Sequence, residues 1–67
     1  MNRRLDTHAV LEAYNEGSTA ARADRLLGRR SEYTWNTPRT GVDEYSRVYA
    51  DGYRDTWKAL EASEVSA

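Results

Sequence analysis

The sequence predicts an all-α fold, a small helical hairpin of two main helices with an aromatic-bearing loop between them and a kink or short break in the first helix. Three observations carry this. Small and apolar residues recur at helical spacing on both sides of a central segment, and that segment holds the one proline, Pro38. A short repeat, Tyr14-Asn15-Glu16-Gly17, returns as Tyr49-Ala50-Asp51-Gly52 in the middle of the second helical stretch. Glycine inside a helix costs about 1 kcal/mol relative to alanine. Two of them in matching contexts mark a place where two backbones come close, so Gly17, Gly52, Tyr14 and Tyr49 are read as the helix crossing.

Asp6 or Thr7 can cap the first helix, in which Val10, Ala13, Tyr14, Gly17 and Ala21 follow the alternating spacing of three and four that makes one buried stripe. The stripe fails at Asp24, and a second apolar set, Ala20, Ala23, Leu26 and Leu27, lies on a rotated face. This change of face predicts the kink near Gly17-Ser18-Thr19. Gly28, followed by Arg29 and Arg30, ends the helix.

Residues 29–41 contain Asn36-Thr37-Pro38 and Gly41, and proline both lacks an amide donor and disfavours helical angles at Thr37. A loop is expected, with Tyr33 and Trp35 folding back as a lid because aromatic surface is costly to leave in water. The second main helix opens at a capping-box-like Thr40 and Asp43 and carries the stripe Val42, Tyr45, Tyr49, Gly52, Tyr53, Thr56 and Leu60, flanked by Val48 and Trp57. Asp43 with Arg47 and Asp55 with Lys58 stand at ion-pair spacing.

The 67 residues form a single small helical domain, 1–67, with fraying expected over 1–5 and 62–67. A chain this short buries only about 60% of its unfolded surface. Its aliphatic supply is thin, so a homodimer or a bound partner is expected to complete the burial. There is no cysteine, which removes disulfides, thiolate metal sites and thiol nucleophiles. The opening Met1–His8 has a basic pair without an apolar run behind it, so no signal peptide or membrane span is read there. A soluble, cytoplasmic protein is the expectation.

No residue pattern announces a chemistry. His8 has no second histidine at ligand spacing. The carboxylate pairs Glu12 with Glu16 and Asp51 with Asp55 lie on helix faces, where a hairpin offers no desolvated cleft to split their pKa values. No glycine-rich phosphate loop exists. The chain is therefore read as a non-enzyme without cofactor, metal or small-molecule substrate.

Charge is uneven along the chain. From Arg22 to Arg39 five arginines stand against two carboxylates, whereas from Asp43 onward six carboxylates stand against three basic residues. The basic middle segment offers Arg22, Arg25, Arg29, Arg30 and Arg39 as phosphate ligands, with Tyr33 and Trp35 able to stack on unpaired bases.

The segments Ala13-Tyr14-Asn15-Glu16-Gly17-Ser18-Thr19-Ala20, Asn36-Thr37-Pro38 and Tyr49-Ala50-Asp51-Gly52-Tyr53-Arg54-Asp55-Thr56 together resemble the ribosome modulation factor family. That family pairs a helix reading alanine, aromatic, two residues, glycine, two residues, alanine with a second reading aromatic, two residues, glycine, aromatic, two residues, alanine, through a loop bearing asparagine, proline and an aromatic. The resemblance implies a two-helix protein that binds the ribosome, contacts small-subunit RNA and regulates translation. This chain departs from the pattern in its slightly acidic net charge of -1, its longer inter-motif span, Thr37 between Asn36 and Pro38, and Thr56 in place of alanine.

Two other classes fit the sequence. One is a phage-type inhibitor or adaptor, anti-defence or anti-CRISPR-like in profile, that presents the acidic second helix to a protein target. The other is a helix-turn-helix DNA-binding protein, suggested by Val10 to Ser18 followed by Arg25-Leu26-Leu27-Gly28, although Asp24 occupies the packed small position and Pro38 shortens any recognition helix.

Overall fold

A computed structural model describes residues 5–66. It comprises α1 (Thr7–Leu27), a single helical turn α2 (Glu32–Trp35) and α3 (Glu44–Ser66). The fold is all-α, with two long helices packed together and an aromatic-bearing connection between them. Among the described residues no helix is long and apolar enough to cross a membrane.

Asp6 caps α1, its Oδ1 accepting from the Ala9 amide at 2.8 Å. The other end closes on Gly28 at φ 72°, with the Gly28 amide donating to the Arg25 carbonyl and the Arg29 amide to that of Asp24. This left-handed cap satisfies the last carbonyls, and glycine enters it without steric cost. No break interrupts α1 at Gly17-Ser18-Thr19, where the change of apolar face predicts one. Ala13, Gly17 and Ala21 form one buried row four residues apart, and α3 covers it along its length.

The rotated apolar set of α1 forms no second buried face. Leu26 is 90% exposed and Leu27 65%, Ala23 is exposed, and only Ala20 is half-buried. Asp24 and Arg25 take the inward direction instead because each meets a polar partner on α3.

The connection is more ordered than a loop. Ser31 caps α2 through its side chain, and Trp35 packs edge-on against Trp57, with 6.5 Å between ring centroids. Trp35 thus forms the expected lid, whereas Tyr33 points away from it and is 89% exposed. Arg54 holds this segment against α3 by donating to the carbonyls of Trp35 and Thr37 at 3.0 and 2.9 Å and to Asp51 at 3.0 Å. Asp43, without Thr40, caps α3, accepting from the Ser46 amide and hydroxyl, so Val42 lies outside the helix. Arg47 pairs with Glu44 in place of Asp43. Helix α3 continues through residues 62–66, where fraying is expected; residues 1–4 and Ala67 lie outside the described residues.

The two long helices run in the same direction. Three hydrogen-bonded pairs at the start, middle and end of the contact keep nearly the same sequence separation, 39 for Leu5 with Glu44, 38 for Ser18 with Thr56 and 39 for Arg25 with Glu64, while the long side chains of Tyr45 and Tyr53 reach further along α1, to Glu16 and Asp24 at a separation of 29. An antiparallel pair would instead bring early residues of α1 to late residues of α3. The reversal is carried by residues 28–43, which run back beside α3 and suffice to span the roughly 31 Å of α1. The core between them is small: among the described residues Ala13, Ala21, Val48, Ala50, Tyr53 and Trp57 are the buried hydrophobic ones, and Tyr53 is the largest side chain fully enclosed.

Candidate functional site

At the crossing each glycine meets the other repeat. A Cβ on Gly17 would fall 2.9 Å from the Tyr49 carbonyl carbon and 3.0 Å from the Tyr53 amide nitrogen, with the Tyr49 oxygen closer still. A Cβ on Gly52 would fall 2.9 Å from the Tyr14 carbonyl carbon, again with the oxygen closer. The repeated Tyr-x-x-Gly segments therefore dock reciprocally, each glycine beneath the other repeat's tyrosine carbonyl. Their side chains reach outward from this point: the Tyr14 hydroxyl donates to Asp55 at 2.8 Å, and Tyr49 stacks on Tyr45 with 6.0 Å between centroids.

The residues of the basic segment separate into distinct groups. The Arg25 Nε donates to Glu64 at 3.1 Å, and its guanidinium lies 5.1 Å from the Trp57 ring centroid. Arg30 donates to Glu32 at 2.9 Å and lies 4.1 Å from the Trp35 centroid. Lys58 approaches the same indole at 5.8 Å. Sequence spacing pairs Lys58 with Asp55; in the structure Asp55 takes the Tyr14 hydroxyl, and Lys58 joins the basic group. Arg22, Arg29 and Arg39 are exposed, with no side-chain partner among the described residues.

Arg25, Arg30 and Lys58 thus converge on the edge-packed indoles Trp35 and Trp57. The rings hold the cations by cation–π attraction; Arg25 and Arg30 are also paired with Glu64 and Glu32, whereas Lys58 has no carboxylate partner among the described residues. Trp57 and Lys58 were not among the binding residues expected from sequence. Their only signal in the sequence is a cation directly after a tryptophan, Trp57-Lys58, which acquires meaning only when Trp35 is brought across from the connection. Trp35 is packed inside this arrangement, which removes its face from base stacking; Tyr33, fully available, lies on a different surface and lines grooves with Tyr45 and Tyr49.

Three tyrosines link the helices to carboxylates and have their pKa raised above the ordinary 10.0. For Tyr14 the main cause is its hydrogen bond to Asp55, and for Tyr45 the one to Glu16, because a neighbouring carboxylate stabilises the protonated phenol. For Tyr53 burial is the larger cause, followed by the bond to Asp24, while the Ser31 amide acts in the opposite sense.

His8 stands 3.5 Å from Glu12 in an exposed pair. Among the described residues no group of three or more His, Asp or Glu is arranged to hold a metal ion. The segment after Gly28 forms only the four-residue α2, too short to serve as the recognition helix that a helix-turn-helix reader places in the major groove. Set against known protein families, curated proteins and solved structures, the chain matches none.

Proposed function

We propose that this chain is a non-enzymatic regulatory binding protein of the ribosome modulation factor type, which docks on ribosomal RNA in the cytoplasm through the basic, indole-backed region of the helix pair. The observation that supports the reading is the convergence of Arg30 and Lys58 on Trp35 and of Arg25 on Trp57, with Arg29 exposed beside them. Phosphates are the natural ligands of such a group, since each contact releases a condensed counterion and arginine offers paired donors to phosphate oxygens. Glu64 and Glu32 already engage Arg25 and Arg30, so affinity rests on few contacts and specificity on the shape of the RNA. The reciprocal docking of the two Tyr-x-x-Gly segments supports the family reading, because these are the positions that carry the resemblance.

The molecule exposes 5082 Å², against about 4,300 Å² expected for a compact monomer of its 7.7 kDa mass. This excess, and Leu26 and Leu27 on the surface, support a bound partner or a homodimer as the working state. The test is retention on ribosomes and on small-subunit RNA at physiological salt, comparing the native protein with Arg29→Glu combined with Lys58→Glu. Binding lost in the variant, with helix content unchanged, is the expected result. No retention of the native protein ends the reading.

A further inference from the structure

The side of the molecule that carries Tyr33 has the opposite character from the indole-backed region. Three adjoining grooves run across it. One of roughly 540 Å³ lies along α1 and reaches Tyr49; one of roughly 670 Å³ lies between the connection and the start of α3; a smaller one between Tyr33, Tyr45 and Tyr49 joins them. Tyr33 lines two of the grooves and Tyr49 two, so the surface is continuous. No lysine, arginine or histidine lines any of them, whereas Glu12, Glu16, Glu32 and Asp43 do, and of these Glu32 is already paired with Arg30.

We infer that this tyrosine-lined surface is a docking site for an extended, arginine- or lysine-bearing segment of another protein. Charge complementarity selects that occupant. A nucleic acid laid here would set phosphates against carboxylates with no lining cation to offset them, while a guanidinium or ammonium finds carboxylates within the grooves and the ring of Tyr33, whose exposure leaves a face free for cation–π contact. Tyr45 and Tyr49 are already stacked, and Tyr45 is held by Glu16, so these aromatic groups are ordered before a partner arrives and lose little freedom on binding. The site touches the proposed RNA-binding region only at Glu32, which pairs with Arg30, and stands whether or not that reading holds.

The test is a titration of the isotope-labelled protein with a peptide of alternating arginine and glycine, beside one of alternating glutamate and glycine, followed by amide chemical shifts. The arginine peptide is expected to give saturable shifts at Tyr33, Thr37, Tyr45, Ser46 and Tyr49, and the glutamate peptide none there. Glu12→Gln combined with Glu16→Gln keeps the Tyr45 acceptor and is expected to weaken the arginine peptide about tenfold; Tyr33→Ala is a second variant, at a fully exposed position where folding is not at stake. Arg29→Glu with Lys58→Glu should leave peptide binding unchanged, which separates this site from the RNA reading. Shifts confined to other residues, no saturable shift, or equal affinity in the variants would overturn the inference. So would a concentration-dependent gain in mass with shifts at both Tyr33 and Lys58, which would make a second copy of this chain the occupant.

Discussion

The Tyr53 hydroxyl donates to Asp24 Oδ2 at 2.5 Å and accepts from the Ser31 amide at 2.9 Å. One phenol, only 1% exposed, therefore joins α3 to α1 and to the start of the connection. It also explains why an aspartate stands at the position where the apolar stripe of α1 breaks: the carboxylate has its donor, and Asp24 can face inward without being an orphaned charge.

Replacing Tyr53 by phenylalanine keeps the ring and removes both bonds. The expected loss is about 1–3 kcal/mol, the cost of leaving half-buried groups without partners. Urea unfolding followed by helical circular dichroism reads it. An unchanged midpoint would show that water takes over both roles.

At the crossing, alanine suffices as a probe. Gly17→Ala or Gly52→Ala gains about 1 kcal/mol in helix propensity but drives a methyl group into a backbone carbonyl that cannot rotate away. Net destabilisation of roughly 2 kcal/mol or more is expected for each. Gly28→Ala meets no neighbour within 4 Å, and its cost is the left-handed backbone alone, about 1–2 kcal/mol. A Gly17→Ala protein as stable as the native one would contradict the close approach.

Stability should decline in alkali. Tyr14, Tyr45 and Tyr53 have folded pKa values raised above 10.0, so they favour the folded state fully below that value and lose this contribution as pH rises through their folded pKa values. A flat stability profile to about pH 9 with a fall above pH 10 is expected, and Tyr53→Phe should flatten part of the fall. Thermal melts across this range, with phenolate absorbance recorded in parallel, measure both. Stability that rises above pH 10 would contradict the assignment.

RNA binding, if it uses Arg29, Arg30 and Lys58, should show a modest salt dependence. Three phosphate contacts on single-stranded RNA give a slope of about −2 in log K against log salt. Anisotropy titrations with a labelled small-subunit RNA fragment measure it. A slope near zero would place the affinity elsewhere, and Lys58→Ala should reduce the slope by about one contact's share.

Much of the fold was legible in the sequence because it depends on local rules. Asp6 and Gly28 bound α1 through capping geometry that needs only neighbouring residues, and the row Ala13, Gly17, Ala21 is plain at helical spacing. The binding surfaces were less legible. The basic segment reads as one group along the chain, yet α1 and the connection distribute it: Arg25 and Arg30 go to the indoles and to carboxylates, while Tyr33 and Trp35, two residues apart on one turn, face opposite ways.

The sequence by itself determined the two long helices, both ends of the first and the glycines at which they meet, since propensity, capping and steric allowance at a missing Cβ act within a few residues. Tertiary structure alone decided that the helices run in the same direction, that Asp24 turns inward in place of Leu26, and that Lys58 joins arginines far from it in the chain. These outcomes depend on which partner across the interface satisfies a charge or hydroxyl, and that pairing comes from the path of residues 28–43 back along α3, a long-range relation that no local spacing encodes.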